Sequence, residues 1–216
     1  MRLCLYLIAG CLTAQVAEKA NENYRSPETR QALIRGLTDP SRDARQRPRE
    51  LMAALGIRPG MSVVDLGSGP GYMLPHLSAA VGENGRVIAQ DVFPDFLEKA
   101  RDRTAGLTNV TFVQGNAKET KLDEKSADLI LVLDVYHHLD YPEVTLAQLR
   151  RTLKPGGRLA VVEYHKNKVA MNGRAEEHVR LGEADAIAEI EANGFRLKSK
   201  SDFEPRVQWL AIFEAK

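Results

Sequence analysis

The sequence predicts an α/β fold, in which a mostly parallel sheet carries helices on both faces. From about residue 60 onward, short apolar runs typical of strands alternate with segments of helical spacing. One of these runs, ADLILVLD at 127–134, is almost wholly apolar, as expected of a central strand covered on both faces. A chain of 216 residues is long enough for one good-sized core, so we expect a single domain with appendages.

The predicted elements follow one another in alternating order. Strands are predicted at 61–66, 86–91, 110–115, 127–134, 158–164, 196–203 and 207–215. Helices are predicted at 71–82, 94–104, 141–153 and 182–195, and a Pro-Gly-Gly turn is expected just before the fifth strand. Residues 15–56 are polar, helical in propensity and interrupted by prolines, so we expect short helices laid across the sheet there.

Composition narrows the classes of partner. The net charge of +1 and the aromatic share of 6% argue against nucleic-acid binding, which needs a basic surface and stacking platforms. Both cysteines, Cys4 and Cys11, lie in the first dozen residues. The body of the chain therefore lacks the thiols for a disulfide framework, a zinc–thiolate site or a cysteine nucleophile.

The first 17 residues have a pattern of their own. Arg2 precedes a short apolar stretch and then small residues, which is typical of a signal peptide; a membrane-spanning helix would need roughly 20 apolar residues. The tetrapeptide Ile8-Ala9-Gly10-Cys11 also resembles a lipoprotein cleavage site, which would place a lipid anchor on Cys11 as the chain's only membrane contact. A mis-assigned start codon or a frayed terminus is an equally good interpretation.

The stretch VVDLGSGPGY at 63–72 is the strongest functional motif. A strand, a glycine-rich turn and a helix place backbone N–H groups and the positive end of the helix at the carboxyl edge of the sheet, where open α/β folds bind ligands. A dinucleotide loop has glycine at the sixth position, where this chain has Tyr72, and no Gly-Lys-Ser/Thr follows as in a phosphate loop. Asp65 precedes the turn, and Asp91 ends the next strand, where a carboxylate can accept hydrogen bonds from ribose hydroxyls.

Together with three further segments, this loop resembles the class I S-adenosylmethionine-dependent methyltransferases. The segments are QDVFP after the second strand, QGNA after the third, and DVYHHLDYP…LRRTLKPGGRLAVVE from the fourth strand to the fifth. The similarity extends over residues 37–214 and is closest to bacterial small-molecule methyltransferases with HHL-x-x-P and LKPGG motifs. It implies a Rossmann-like seven-stranded sheet of order 3-2-1-4-5-7-6 with the last strand antiparallel. With the N-terminal pattern, it gives a leader-like segment 1–17, a helical cap or lid 18–57 and a methyltransferase domain 58–216.

The resemblance also implies where S-adenosylmethionine would bind. The positions carried over are Asp65, Gly67, Ser68, Gly69, Gly71, Asp91, Val92, Phe93, Asn116, Ala117, Asp134 and Val135. Asp65 and the glycine loop would hold the methionine end, Asp91 the ribose, and the two residues after Asp91 the adenine. Asn116 stands where relatives usually have an aspartate that accepts from the adenine amino group, and an amide oxygen can accept there without charge. Asp134 would lie beside the reacting sulfonium.

Candidate residues for the acceptor side follow the fourth and fifth strands. Because neighbouring parallel strands end at the same edge, we expect Tyr136, His137 and His138 to lie near Glu163 and His165. Methyl transfer is an in-line displacement that depends mainly on holding two partners near contact, so a dedicated base is optional. Three interpretations stay open: His137 or His138 as a base oriented by Glu163, a His/His/Glu metal site, or histidines that only pack and cap the next turn. The first interpretation gives His137, His138 and Glu163 as the predicted catalytic residues, and it requires no bound metal.

The segment GLTDPSRDARQRP at 36–48 is the predicted lid over the acceptor. It is similar to a Pro-x-Arg-Asp-x-x-Gln-x-Pro run found there in the family. Arg42 can pair with an acceptor carboxylate or phosphate, or equally with Asp43 or Glu50 on the surface. Gln46 and Tyr72 complete the predicted acceptor-side residues, and the region around His178 is expected to close the opposite side.

The sequence thus predicts an enzyme that moves a methyl group from S-adenosylmethionine to a small molecule and leaves S-adenosylhomocysteine. The alternative is a catalytically silent S-adenosylmethionine-binding module on the same fold, and an NAD-dependent oxidoreductase is disfavoured by Tyr72. No Asn/Asp-Pro-Pro-Tyr motif follows the fourth strand, which argues against many amino-nitrogen methyltransferases. The acceptor atom and the oligomeric state stay open. So does the location, because the cofactor is made in the cytosol whereas a signal peptide would direct the protein out of it.

Overall fold

The computed structural model describes residues 15–216 and has the strand order expected from the sequence. The strands are β1 Ser62–Leu66, β2 Arg86–Asp91, β3 Val110–Gln114, β4 Ala127–Leu133, β5 Leu153–Tyr164, β6 Phe195–Glu204 and β7 Gln208–Ala215. They form one sheet in the order β3-β2-β1-β4-β5-β7-β6. The first five strands are parallel, and β7 is antiparallel to both β5 and β6. The predicted Rossmann-like fold class is confirmed.

The helices begin and end where proline and glycine favour it. Their bounds are α1 Glu18–Asn21, α2 Pro27–Leu37, α3 Arg42–Gln46, α4 Pro48–Leu55, α5 Leu74–Val81, α6 Pro94–Arg103, α7 Pro142–Thr152, α8 Ala175–His178 and α9 Glu183–Ala192. Proline opens α2, α4, α6 and α7, where its fixed φ suits the first turn and its missing N–H has no helical partner to lose. Gly56 ends α4 in the left-handed conformation, at φ +61°.

Two apolar clusters cover the two faces of the sheet. On one face, helices α4, α5 and α6 contribute Leu51, Leu55, Leu74, Leu77, Val81 and Ala100. On the other, α7 and α9 contribute Leu146, Leu149, Ala186, Ile187 and Ile190. Strand β4 sends Leu129 and Leu131 to the first cluster and Ile130 and Val132 to the second, as expected of a central strand.

Strand β5 begins earlier than predicted. Leu153, expected to end a helix, and the Pro-Gly-Gly stretch, expected to be a turn, belong to the first part of the strand. Ala127 of β4 pairs with Leu153, whereas Leu129 pairs with Arg158, so a bulge absorbs the extra residues. Gly156 has φ +78°, a conformation that side chains rarely adopt, which explains how the chain can bulge and continue as a strand.

Helices α1 and α2 are tied to the carboxyl edge of the sheet by polar contacts. Arg30 of α2 donates from Nε to both oxygens of Asp95 at 3.0 and 2.8 Å, at the start of α6. Asn21 of α1 donates from Nδ2 to the carbonyl oxygen of His138, 3.0 Å away. These helices lie in the segment for which the sequence predicts a cap, and the exact division at residues 57 and 58 stays a prediction.

The leader-like segment predicted at 1–17 lies almost wholly outside the described residues, and so does Cys11. Within residues 15–216, every helix is too short or too polar to pass through a lipid bilayer.

Candidate functional site

A cavity of about 480 Å³ lies at the carboxyl edge of β1, β2 and β4, beneath the N-terminal helices. The predicted residues that line it are Arg42, Asp65, Gly67, Ser68, Gly69, Tyr72, Asp91, Val92, Phe93, Asn116, Ala117, Asp134, Val135 and His138. The structure therefore brings together the residues carried over for the cofactor from four separate segments of the chain, except Gly71, which lies outside the cavity wall.

The three glycines of the loop serve different purposes. Gly67 has φ +68°, and a Cβ there would lie 2.6 Å from the side chain of Val135. Gly71 has φ +82°, and its Cβ would lie 3.0 Å from the Cα of Ala100 in α6. Gly69, at φ +54°, faces open space. Gly67 and Gly71 are therefore required for close packing, whereas Gly69 leaves its backbone accessible to a ligand.

Two buried aspartates flank this loop. Asp91 accepts hydrogen bonds from the backbone N–H of Gly69 at 2.8 Å and of Phe93 at 2.9 Å, which fixes one oxygen toward the loop and the other toward the chain that follows. Burial raises the pKa of Asp91 to about 6, against the opposing effect of these N–H donors. Burial and the neighbouring Asp91 charge raise the pKa of Asp65 to about 7.

These residues fit S-adenosylmethionine on physical grounds. The cofactor is cationic at its sulfonium and amino groups, and a buried pair of carboxylates with raised pKa values is stabilised by such a charge. Ser68 has a buried Oγ that makes no hydrogen bond within residues 15–216, so it is available to a ligand. Phe93 stacks on Tyr24 with ring centroids 6.0 Å apart, and the two rings form an aromatic part of the cavity wall.

Asn116 has a different local role from the one that the resemblance implies. Its Oδ1 accepts from the backbone N–H groups of Lys118 and Glu119, both at 2.9 Å. Because these two bonds use both lone pairs, the amide oxygen closes its own turn and is not free to accept from an adenine amino group. Val92 is 37% exposed although apolar, which leaves its side chain available at the cavity wall.

Asp134 is the centre of a buried polar contact between lid and sheet. It has φ +55°, unusual for a residue other than glycine. Gln46 of α3 donates from Nε2 at 2.6 Å and Gln208 of β7 at 2.5 Å, and both glutamines are fully buried. Burial and the charge of Glu163 raise the pKa of Asp134. Gln46, predicted to contact the acceptor, instead fixes the lid to Asp134 and lies outside the cavity wall.

Arg42 and Tyr72 form a layered contact at the cavity wall. The guanidinium of Arg42 lies over the Tyr72 ring, 4.4 Å from its centroid, and donates to the carbonyl of Leu37 at 2.6 Å. Tyr72 donates from its hydroxyl to Asp43 at 2.6 Å. The surface pairing considered for Arg42 with Asp43 or Glu50 is therefore wrong, since Arg42 stacks on Tyr72 and Asp43 accepts from that tyrosine.

The two adjacent histidines differ in orientation. His137 is 3% exposed, and its Nδ1 lies 2.6 Å from Oε2 of the equally buried Glu163. His138 lines the cavity, and its Nδ1 lies 2.8 Å from Oδ1 of Asn21. The ring of His178, at the end of α8, lies 4.9 Å from that of His137 and 5.4 Å from that of His138. The predicted orientation of an imidazole by Glu163 is present, and it applies to His137.

The pKa values of the three histidines shift in different directions. Burial alone would lower the pKa of His137, but the charge and hydrogen bond of Glu163, together with the charge of Asp134, raise it. Burial and the charges of His137 and His178 hold the pKa of His138 well below its usual range. Burial and the His137 charge lower the pKa of His178 to about 4. At neutral pH, His138 and His178 are therefore uncharged.

Two predicted acceptor-side residues lie elsewhere. Tyr136 points into the core cluster under α9 and donates to Glu189 at 2.6 Å. His165 lies 2.8 Å from Asp202 and 3.8 Å from Glu183, outside the cavity wall. Tyr136, His137 and His138 form a 3-10 turn after β4, in which successive side chains point in different directions, so only some of them can reach one cavity.

Three contributors were missed by the sequence interpretation. Tyr24 and Asn21 come from the short helical turns before α2, and Gln208 begins β7. Tyr24 is the only aromatic residue between positions 15 and 56, which was a usable signal. Asn21 and Gln208 had none, because ordinary polar residues acquire these roles only through contacts with distant parts of the chain.

Comparison with known proteins agrees with this site. Residues 64–161 match a family model described as a methyltransferase domain. A methyltransferase from Aquifex aeolicus, described as SAM-dependent, is similar in structure with a TM-score of 0.79 and 29% identity, covering 84% of this chain and 96% of that one.

Curated relatives match over part of their length. The ubiquinone/menaquinone biosynthesis C-methyltransferase UbiE of Vibrio vulnificus is 39% identical over 114 residues, which is 51% of this chain and 44% of that protein. An uncharacterized 37.1 kDa protein in a transposon of Streptomyces fradiae is 40% identical over 120 residues, which is 56% of this chain and 35% of that protein. The chain thus spans less than half the length of these two relatives. Residues 64–161, slightly less than half of the chain, match a methyltransferase domain, and these similarities support the predicted enzyme class and S-adenosylmethionine as the cofactor.

Proposed function

We propose that this class I methyltransferase domain transfers the methyl group of S-adenosylmethionine to a small molecule bound at the His138 end of the cavity. The observation that carries the proposal is the cavity itself. It is about 480 Å³ in volume, it extends from the glycine loop to His138, and the N-terminal helices lie over it. A space of this size leaves room for a small acceptor group beside the cofactor.

The residues around the cavity would divide the work of binding. When bound, S-adenosylmethionine supplies a methyl group on a positively charged sulfur. Asp65 would hold the cationic methionine end, and Asp91 would accept from the ribose hydroxyls with the lone pairs that its two N–H donors leave free. Phe93 and Tyr24 would enclose the adenine, and Tyr24 would exclude water from above. Positioning of the two partners by these contacts would supply most of the rate.

Proton removal from the acceptor would fall to His138 if the acceptor is protonated at the working pH. His138 is the histidine that lines the cavity, and its uncharged ring can accept a proton, but its lowered pKa makes it a weaker base than an ordinary histidine. His137 and Glu163 lie behind His138 and would orient the histidine group rather than touch the acceptor. The acceptor of the Vibrio vulnificus relative is not carried over, because this chain spans only 44% of that protein.

The experiment has two stages. Calorimetry first measures binding of S-adenosylmethionine and of S-adenosylhomocysteine to the full chain. The protein is then incubated with methyl-labelled S-adenosylmethionine and fractionated metabolite extracts, and label in a small-molecule product supports the proposal. Asp91→Ala is the matched negative control. Binding without a labelled product in any fraction would instead favour the silent S-adenosylmethionine-binding module.

A further inference from the structure

The three-histidine group beside the cavity has the composition of a metal site. His137 and His138 follow β4, and His178 ends α8, about 40 residues later in the chain. One ring nitrogen from each lies within 4.8 Å of the others. Donors of a tetrahedral zinc site lie about 3.4 Å apart, as follows from Zn–N bonds of about 2.0–2.1 Å. Small side-chain rotations would close this difference.

The hydrogen bonds of the two adjacent histidines leave the Nε2 atom of each ring free to bind a metal. Nδ1 of His137 is held by the Glu163 carboxylate at 2.6 Å, and its buried Nε2 makes no hydrogen bond within residues 15–216. Nδ1 of His138 lies 2.8 Å from Oδ1 of Asn21, whose amide nitrogen donates to two oxygens, so the His138 ring must donate from Nδ1. In the neutral ring Nε2 of His138 therefore carries a lone pair. A ligand imidazole held through its other nitrogen by a carboxylate or an amide is the usual outer support of a metal site.

The N-terminal helix α1 holds these elements together. Asn21 bonds to His138, and Lys19 forms an ion pair of 3.3 Å with Glu177, the residue before His178. One short helix thus contacts both segments that supply the histidines. The Lys19–Glu177 pair is exposed and contributes little, so the evidence that the third ring belongs to the group is its proximity to the rings of His137 and His138.

We propose that His137, His138 and His178 bind one divalent transition-metal ion, such as Zn²⁺, with Glu163 orienting His137 and Asn21 orienting His138. Three imidazoles suit zinc, nickel or copper and leave a fourth position open. Because His138 lines the cavity, the open position faces the acceptor end, where it would take an acceptor with an oxygen or sulfur donor atom. With the ion bound, Nε2 of His138 is a ligand and cannot act as a base, and the ion instead lowers the pKa of the acceptor group so that no general base is needed. Metal binding itself does not depend on methyl transfer.

The test is a titration of metal-free full-length protein with Co²⁺, whose visible absorption reports a tetrahedral site. It is made in the Cys4→Ser/Cys11→Ser background, so that only non-thiol ligands can respond. We expect one equivalent per chain, competed by Zn²⁺. His178→Ala should weaken binding at least 100-fold, and Glu163→Gln should weaken it about 10–100-fold. His76→Ala and His165→Ala are matched controls that remove a histidine outside the group and should leave the titration unchanged.

His178 is partly exposed at the end of a four-residue helix, so its removal should leave the fold intact. Thermal unfolding in chelator checks this, and His178→Gln replaces His178→Ala if the alanine variant melts early. Absence of stoichiometric Co²⁺ binding, or binding that survives both His178 variants, would overturn the proposal. Loss of binding in His165→Ala alone would also overturn it and would place the ion at the exposed His165, Glu183 and Asp202 group instead. Metal stoichiometry is read without any methyl-transfer assay, so this result is independent of the proposed function.

Discussion

The two ends of the cavity are built from residues at very different separations along the chain. At the glycine-loop end, Asp65, Gly69, Asp91 and Phe93 come from two consecutive strand–loop–helix units within 29 residues. At the histidine end, residues of α1, α3, β5, α8, β7 and the turn after β4 meet in neighbouring polar contacts. The first end is determined mainly by local backbone geometry. The second depends on the whole tertiary structure, so its function is more easily changed by substitutions outside the cavity.

The largest expected effect is at the glycine-loop end of the cavity. Asp91→Ala removes the acceptor of two backbone N–H groups and of the proposed ribose hydroxyls. We expect affinity for S-adenosylmethionine to fall by about 100-fold or more, since each hydrogen bond to a charged group contributes about 1.5–3 kcal/mol. Calorimetry measures this, with Asp102→Ala, an exposed acid on the helix that follows, as the control. A loss below about fivefold would show that Asp91 does not hold the cofactor.

A pair of glycine variants separates packing from binding within the same loop. Gly71→Ala should destabilise the fold by about 2–3 kcal/mol, because a positive φ is combined with a Cβ only 3.0 Å from the backbone of Ala100. Gly69→Ala should cost only about 1 kcal/mol, from φ alone, while weakening cofactor binding. Urea unfolding and calorimetry on both variants test this. Equal losses of stability would mean that contact with α6 is not what requires Gly71.

The raised pKa of Asp65 predicts a pH dependence of cofactor binding. The cationic methionine end should bind the ionised carboxylate, so below its pKa of about 7 the cofactor must first displace a proton. Affinity should therefore rise by up to about tenfold between pH 6 and pH 7.5. Asp65→Asn should bind more weakly and keep only a shallow dependence of about twofold, from the raised pKa of Asp91. A wild-type profile as shallow as that of the variant would exclude Asp65 as the main group that titrates.

The smallest effect is expected at the histidine end of the cavity. Gln46→Ala removes one of the two amides that bond to the buried Asp134, while Gln208 remains. We expect a loss of about 1 kcal/mol in the free energy of unfolding, measured in urea. Cofactor affinity should change little, since Gln46 lies outside the cavity wall. Gln31→Ala, on the exposed side of α2, is the matched control and should be neutral. A loss of affinity above tenfold would show that the two ends are coupled.

Apolar runs and turn residues of the sequence predicted the strands, and the family resemblance predicted their order in the sheet. Apolar runs, turn residues and the VVDLGSGPG loop act through local backbone conformation, so a short stretch carries the whole signal. The predicted start of β5 was wrong, because a bulge at Gly156 lets the Leu153–Gly157 segment join the strand.

The side-chain partners at the histidine end of the cavity depend on tertiary contacts. His137 turned toward Glu163, His138 toward the cavity, and Tyr136 and His165 away from it, according to which side of the sheet edge each residue occupies. The same residue types at the same spacing could have served any of the three interpretations that the sequence left open. A polar side chain takes its partner from whatever the packed chain brings within about 3 Å, and that neighbour is not encoded in the adjacent residues.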